Sequence, residues 1–467
     1  METPVPTTLP TAHPGHRRHQ RKAALLDRSD RLMLAFLLVH APLGVGFRQF
    51  ELVSRYHALG VLALGVWWAT AGRRPALAIY AACYMTGAEV LWRMTGSDLF
   101  WEFGKYATSL ILILVLLRLP SHRTTSWGAF LYFILLLPSA VLTVQHLGLS
   151  LTRDALSFNL SGPFTLAVAV LFFTSIRAGS IDLKWLVVSL LSPILGITAI
   201  CTYSTLTAGQ ITFYAESNFV TSGGFGPNQV SAVLGLGALL ALIVALQSEK
   251  TLVRWLFLGV TLGILVQGVL TFSRGGVINA LICTGILGVH LIGQPKVRAT
   301  FFAVLVVFAL LGSTVIFPRL NEWTGGALEE RYSSTSVGLR QSIAEEELDL
   351  FREHPMLGVG PGMAKYYRAD PLGFEVAAHT EFTRLLAEHG IFGGLALLML
   401  LVIAARGYLS APSALQKGWT AALAAWTFAE MSHSAMRIAA ISVLFGMAMI
   451  RWDPPRGAQD PRERRER

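Results

Sequence analysis

"AAHTEFTRLLAEHGIFGGLALLMLLVIAA", residues 377–405, opens on ionisable side chains and closes as an unbroken apolar run. Residues 380–405 exceed the roughly 20 residues that a helix needs to cross a hydrocarbon layer of ~30 Å. The stretch therefore predicts a membrane helix whose beginning carries His379, Glu381, Arg384, Glu388 and His389. Glu381 and Arg384 have the spacing of a local i,i+3 pair, whereas Glu388 and His389 gain no role from spacing alone.

The rest of the chain follows the same pattern. Its 467 residues are 53% hydrophobic and 14% charged, with a mean hydropathy of +0.54, whereas soluble domains carry about 25% charged residues. This balance predicts an all-α, polytopic membrane bundle. Apolar runs place fourteen crossings, near 32–47, 56–71, 75–94, 99–117, 126–146, 161–176, 185–206, 228–247, 253–272, 275–293, 299–317, 380–405, 415–432 and 438–451. The organisation expected is a basic tail at 1–31, eleven crossings within 32–317, a long loop at 318–378, three crossings within 379–451, and a charged tail at 452–467.

Positive charge orients the array. Loops after even-numbered crossings hold Arg73, Arg74, Arg118, Arg123, Arg177, Lys184, Lys250, Arg254, Lys296, Arg298, Arg406 and Lys417, the bias of cytoplasmic loops. Both termini are then expected in the cytoplasm and the 318–378 loop outside. The net charge of +10 is spread over loops and tails rather than one face, which argues against nucleic acid. Cys83, Cys201 and Cys283 all fall in apolar runs without paired spacing, so neither a disulfide framework nor a zinc site is implied. "HPGHRRHQRK" at 13–22 has no cleavage site before the run at Leu32, and reads as a retained anchor's basic tail in which His13, His16 and His19 are solvated.

A connector as long as 318–378 carries function or disorder, and apolar anchors such as Trp323, Ile343, Leu350 and Phe351 argue against disorder. Leu339, Ile343 and Leu350 have helical spacing, and "HPMLGVGPGM" at 354–363 stops a helix with proline and glycine. A short amphipathic helix followed by a tight turn is expected between 337 and 363.

Three positions stand out chemically. Arg274, in "TFSRGGVINA", lies at the outer end of a crossing, where Gly275 and Gly276 are expected to let the backbone turn tightly and leave room beside the guanidinium. Snorkelling to the interface is the competing reading. Arg340 starts the loop helix, where a surface pairing with Glu347 competes with a role in binding. His379 stands at a helix N-terminus, whose partial positive charge disfavours imidazolium, so a basic imidazole faces water there. Two further clusters share this side: Glu89, Trp92 and Arg93, with Phe100 and Trp101, and the group Glu430, His433 and Arg437. Trp92 and its neighbours could stack on sugar or form an aromatic belt, and the charged pairs could be structural or bind an acceptor.

"HTEFTRLLAEHGIFGG", "TFSRGGVI" and "HPMLGVGPGM" together resemble the O-antigen ligase and polymerase family of bacterial envelopes, from about Arg254 to Leu400. Thr380 stands where the family often has Asn or Ser, and Leu339 where it has Gly. The resemblance implies a glycosyltransferase-C-like, metal-independent membrane enzyme without cofactor. Such an enzyme moves a glycan from an undecaprenyl-diphosphate carrier to a glycan or lipid acceptor outside the inner membrane. It implies diphosphate binding by Arg274 and Arg340 and general-base action by His379. Two fixed guanidiniums can stabilise the leaving diphosphate with paired donors. A transporter of an anionic lipid or solute and a non-catalytic assembly protein are the competing classes. Charges at outer ends and the lack of a detectable internal repeat weigh against the transporter.

Overall fold

The computed structural model describes residues 26–118, 126–176, 182–293, 295–334, 339–367 and 378–451. Residues 1–25, with His13, His16 and His19, residues 452–467 and loop positions Arg123, Arg177 and Val337 lie outside the described residues, and the expected tail at 1–31 gives way to α1 from Arg28. Among the described residues there are no strands, and nine helical segments are long and apolar enough to cross a membrane. The chain is a multi-pass, all-α membrane protein.

The first half comprises α1 (Arg28–Gln49), α2 (Glu51–Thr70), α3 (Pro75–Met94), α4 (Phe103–Arg118), α5 (Trp127–Leu135), α6 (Ala140–His146), α7 (Leu149–Ser175) and α8 (Leu183–Thr207). There follow α9 (Pro227–Gln247), α10 (Thr251–Leu270), α11 (Arg274–Leu291), α12 (Pro295–Leu311), α13 (Phe317–Trp323), α14 (Ala327–Ser333), α15 (Leu339–Glu353) and α16 (Ala364–Tyr367). The chain then re-enters the bundle through α17 (Glu381–Leu409), α18 (Ala414–Ser434) and α19 (Ala439–Met447).

Close helix approach depends on missing side chains, because lipid tails provide no hydrophobic force between helices. A Cβ on Gly87 of α3 would sit 2.1 Å from Leu190 O of α8, and one on Gly44 of α1 would sit 2.6 Å from Gly196 O. On Gly276 of α11 it would lie 1.7 Å from Ser231 O of α9. Gly275 and Gly276 thus differ from the expected tight turn: both lie inside α11, and the left-handed backbone falls on Phe272 (φ 57°) instead. Their value is space. Gly276 admits the α9 backbone, and Gly275 admits the imidazole of His433, whose Cε1 would be 2.6 Å from an added Cβ.

The crossing expected at 438–451 is helical only over Ala439–Met447, too short to span a membrane, and four others depart from the sequence reading. The 126–146 run breaks into α5 and α6 around Leu136–Ser139. The 299–317 run does not stop at Pro318. A π-helical turn at Gly312–Ile316 relieves the clash of the proline ring with the preceding turn, and the helix continues to Trp323. α7 begins at Leu149 rather than 161 and carries Pro163 in its interior. That proline cannot donate to Asn159 O, which instead accepts from Arg384 Nη2 at 3.4 Å.

The fourth departure is the opening stretch itself. α17 is two helices meeting at Gly390, whose backbone (φ 58°, ψ −139°) is non-helical. The turn after α15 fills the break: Ile391 N donates to Pro355 O at 2.8 Å, Val359 N to Ala387 O at 3.0 Å, and Gly360 N to Glu388 O at 3.0 Å. "HPMLGVGPGM" therefore does more than end a helix; it is hydrogen-bonded into the kink. Gly390→Ala is expected to destabilise the protein by about 2 kcal/mol or more, because a left-handed alanine is strained and its Cβ would lie 2.6 Å from Pro355 O and Met356 O. A melting temperature in detergent equal to wild type would refute this.

Candidate functional site

Several helix ends are tied together at one end of the bundle, and the ties run through the break between α18 and α19. Two buried carboxylates hold it. Glu381 Oε2 accepts from Met436 N at 3.2 Å, and Glu89 Oε2 accepts from Ala439 N, the first residue of α19, at 2.6 Å. A carboxylate at a helix N-terminus satisfies an orphan N–H and opposes the positive end of the dipole.

Each carboxylate has its own arginine. Arg93 Nη2 lies 2.7 Å from Glu89 Oε1 and also donates to Trp101 O at 2.7 Å, while its Nη1 reaches Gln229 Oε1 at 3.0 Å and Arg437 O at 3.2 Å. Its guanidinium lies 4.0 Å above the Trp101 ring. Arg384 Nη2 meets Glu381 Oε1 at 2.5 Å and its Nη1 meets Glu388 Oε2 at 2.7 Å. The expected i,i+3 pair is thus a buried triad, which gives Glu388 a partner. His389 Nδ1 faces Ser139 Oγ at 2.5 Å, in the break between α5 and α6. Trp92 is 2% exposed and donates from Nε1 to His57 Nδ1 at 3.1 Å. With Glu89, Arg93 and Phe100 it borders a small cavity of ≈ 200 Å³.

The arginines singled out in the sequence lie next to this frame. Arg274 is the first residue of α11, and its Nη1 donates to Arg331 O at 3.3 Å and to Ser334 O. Arg331 in turn donates from Nε to Phe272 O at 2.9 Å and from Nη1 to Ala215 O at 3.2 Å. It thereby stitches α14 onto the turn that presents Arg274. Arg331 went unnoticed in the sequence, because "EERYSS" reads as a surface helix in which neighbouring glutamates would pair with it. Arg340 is the second residue of α15, the helix that also carries Glu347. Glu347 Oε2 accepts from the Thr383 hydroxyl at 2.6 Å, tying α15 to α17.

Positive charges accumulate here. Burial first, and then the charge of Arg274, hold the pKa values of Arg331 and Arg340 below the usual arginine value. Burial and then Arg340 do the same to Arg437. Guanidinium groups do not give up their proton in proteins, so the group stays cationic. His433 sits against Gly275, its Nε2 accepting from Asn279 Nδ2 at 3.1 Å and lying 3.6 Å from Glu430 Oε2. His379 is half-buried immediately before Thr380, the residue whose hydroxyl caps α17. Arg437 Nη2 donates to Ala378 O at 2.7 Å, which brings the cationic group to the backbone beside His379.

Two spaces flank the cluster. One is an apolar groove of ≈ 540 Å³ between α9, α10, α11 and α12. At its end Val269, Phe317 and Leu320 pack on Phe272 and Leu328, beside the Arg274 turn. The other is a cavity of ≈ 690 Å³ with a mixed lining of charged, polar and apolar groups, bordered by Ala378, Glu381, Arg384 and Arg437. An apolar approach, a polycationic waist, a histidine and a partly polar chamber suit a lipid-linked anionic substrate meeting a hydrophilic partner. No curated protein matches the chain. Residues 266–398 match the family model described as O-antigen ligase; this stretch runs from the end of α10 through Arg274, Arg331, Arg340 and His379 to the α17 kink. The match covers this stretch and supports an O-antigen ligase/polymerase family assignment for it.

Proposed function

We propose that the protein transfers a glycan from a polyprenyl-diphosphate carrier, undecaprenyl diphosphate in bacteria, to an acceptor hydroxyl on the periplasmic side of the inner membrane, with both termini cytoplasmic. The observation that carries this reading is the group of Arg274, Arg331, Arg340 and Arg437 beside His379, at the end of an apolar groove. The polyprenyl tail lies along the groove and its diphosphate rests among the guanidiniums, each able to offer paired donors.

In the reaction His379 accepts the proton of the acceptor hydroxyl while that oxygen bonds to the anomeric carbon of the donor sugar. The bond from this carbon to the phosphate oxygen breaks, and its electron pair leaves with the polyprenyl diphosphate. Arg274 and Arg340 stabilise the negative charge that gathers on the departing oxygens. These residues supply by fixed charge what a metal supplies in other glycosyl transfers, and the proposed enzyme needs no cofactor.

The test is reconstitution of the purified chain in proteoliposomes with lipid-diphosphate-linked glycan and acceptor glycolipid. Appearance of polyprenyl diphosphate together with an enlarged acceptor is expected. Absence of both products, with the donor shown to bind, would overturn the reading. A deletion strain read on a polysaccharide gel separates two versions of the function. Full chains stranded on the carrier mean a ligase, and loss of chains beyond one repeat means a polymerase. Arg340→Lys is expected to slow transfer about tenfold or more, since lysine keeps the charge but loses paired contacts, and a hydrogen bond to a charged group is worth about 1.5–3 kcal/mol. Wild-type kcat/KM in that variant would remove Arg340 from the site.

A further inference from the structure

The second cavity mixes aromatic, polar and charged groups in its lining, and the transfer chemistry does not by itself explain its walls. It is bounded by the outer part of α7, by α15 and α16, and by the first turns of α17. Its volume of ≈ 690 Å³ falls within the range of about 300–1,000 Å³ that encloses small-molecule ligands. Three aromatic rings open onto it: Phe100, Phe158 and Tyr366, which are 59%, 37% and 45% exposed. They alternate with hydrogen-bonding groups of Ser157, Asn159, Glu347 and Glu388. Rings left exposed beside carboxylates and amides do not suit a lipid tail, which would strand the polar groups.

The same combination suits sugar rings, whose C–H faces pack on aromatic surfaces while their hydroxyls bond to carboxylate and amide oxygens. The acidic groups here are held in place. Glu347 is fixed by Thr383, and Glu388 with Glu381 is fixed by Arg384, itself 4% exposed and bonded to Asn159 Oδ1 at 3.2 Å. Pre-set acceptors lower the ordering cost of binding a flexible glycan. Ala378, the residue before His379, lines the cavity, as does Arg437, which donates to the Ala378 carbonyl.

We infer that this cavity binds the terminal sugars of the acceptor glycan, stacked on Phe158 and Tyr366 and hydrogen-bonded to Glu347 and Asn159, with one hydroxyl delivered to His379. The inference rests on the glycosyltransferase reading and adds the acceptor's chemistry and position: a hydroxyl-rich carbohydrate enters on the α7 and α16 side, and the donor lipid enters on the α10 and α12 side. Sugars of a growing repeat chain and those of a core glycolipid share this chemistry.

The experiment uses the full chain in proteoliposomes. Phe158→Ala and Tyr366→Ala remove the stacking surfaces, and Ser157→Trp fills the chamber. Donor binding is followed with polyprenyl diphosphate as the probe. Transfer is followed at increasing concentrations of two acceptors: oligosaccharide released from the donor by mild acid, and chain-free envelope glycolipid. For whichever acceptor the wild type uses, the alanine variants are expected to raise acceptor KM about tenfold with kcat at saturation and donor binding unchanged, the pattern of lost uniform binding. Ser157→Trp is expected to lose transfer while still binding polyprenyl diphosphate. An unchanged acceptor KM, or loss of donor binding in the alanine variants, overturns the cavity assignment and leaves the glycosyltransferase reading standing. A wild-type protein that binds the donor but modifies neither acceptor overturns the function, and this inference with it.

Discussion

His379→Ala is expected to lower glycan transfer by about two to four orders of magnitude, the span that a positioned general base contributes, at unchanged abundance in the membrane. The residue is half-buried and precedes the Thr380 cap. An unchanged melting temperature in detergent separates loss of the base from loss of the fold. Binding of polyprenyl diphosphate to the variant should match wild type. A variant that transfers glycan at near-normal rates would show that the acceptor proton leaves by another route, and the mechanism would fall.

Arg274→Ala carries the second large effect, a loss of about 10²–10³ in transfer, comparable to removing one preorganised donor from an oxyanion site. It differs from the histidine variant in kind, because donor binding should weaken as well. Arg274 also donates to Arg331 O and Ser334 O, so alanine could act by loosening α14 rather than by losing charge. Two comparisons separate these causes. Arg274→Lys retains a cation and should recover part of the donor affinity but little of the rate, because its point charge cannot pair two oxygens. Arg331→Lys should weaken the stitch to Phe272 O and Ala215 O and give the looser loop without removing Arg274. If Arg274→Ala binds donor as tightly as wild type, the diphosphate does not rest there.

The membrane character of the chain and most of its helices were legible in the sequence, because a crossing helix is specified locally: about 20 consecutive apolar residues suffice whatever the neighbours do. α3, predicted at 75–94, is observed at Pro75–Met94, and α9, predicted at 228–247, is observed at Pro227–Gln247. The misses have two causes, one distant and one local. Composition does not register where a helix interior is interrupted by something distant. The break at Gly390 exists because a segment some 30 residues earlier donates and accepts hydrogen bonds there, and the extension through Pro318 exists because a π-turn absorbs the ring. The glycines after Arg274 were legible as important and misread in kind. Their role is to admit Ser231 and His433, which lie on other helices.

Residue types, ordering along the chain and membrane character were thus determined by the sequence alone, and with them the choice of Arg274, Arg340 and His379 as positions to examine. Tertiary structure decided which charges serve as scaffold. In the sequence Glu89 is a possible substrate-binding residue and Glu381 and Arg384 a local pair, yet burial commits Glu381 to Arg384 and both glutamates to N–H groups of the α18–α19 break. Arg331, indistinguishable in sequence from a surface arginine, is drawn into the cationic cluster by two backbone carbonyls from remote segments. The physical reason is the steepness of desolvation: a charge in this bundle must find its partner within a few ångströms, and that partner can come from any part of the chain that the fold brings near.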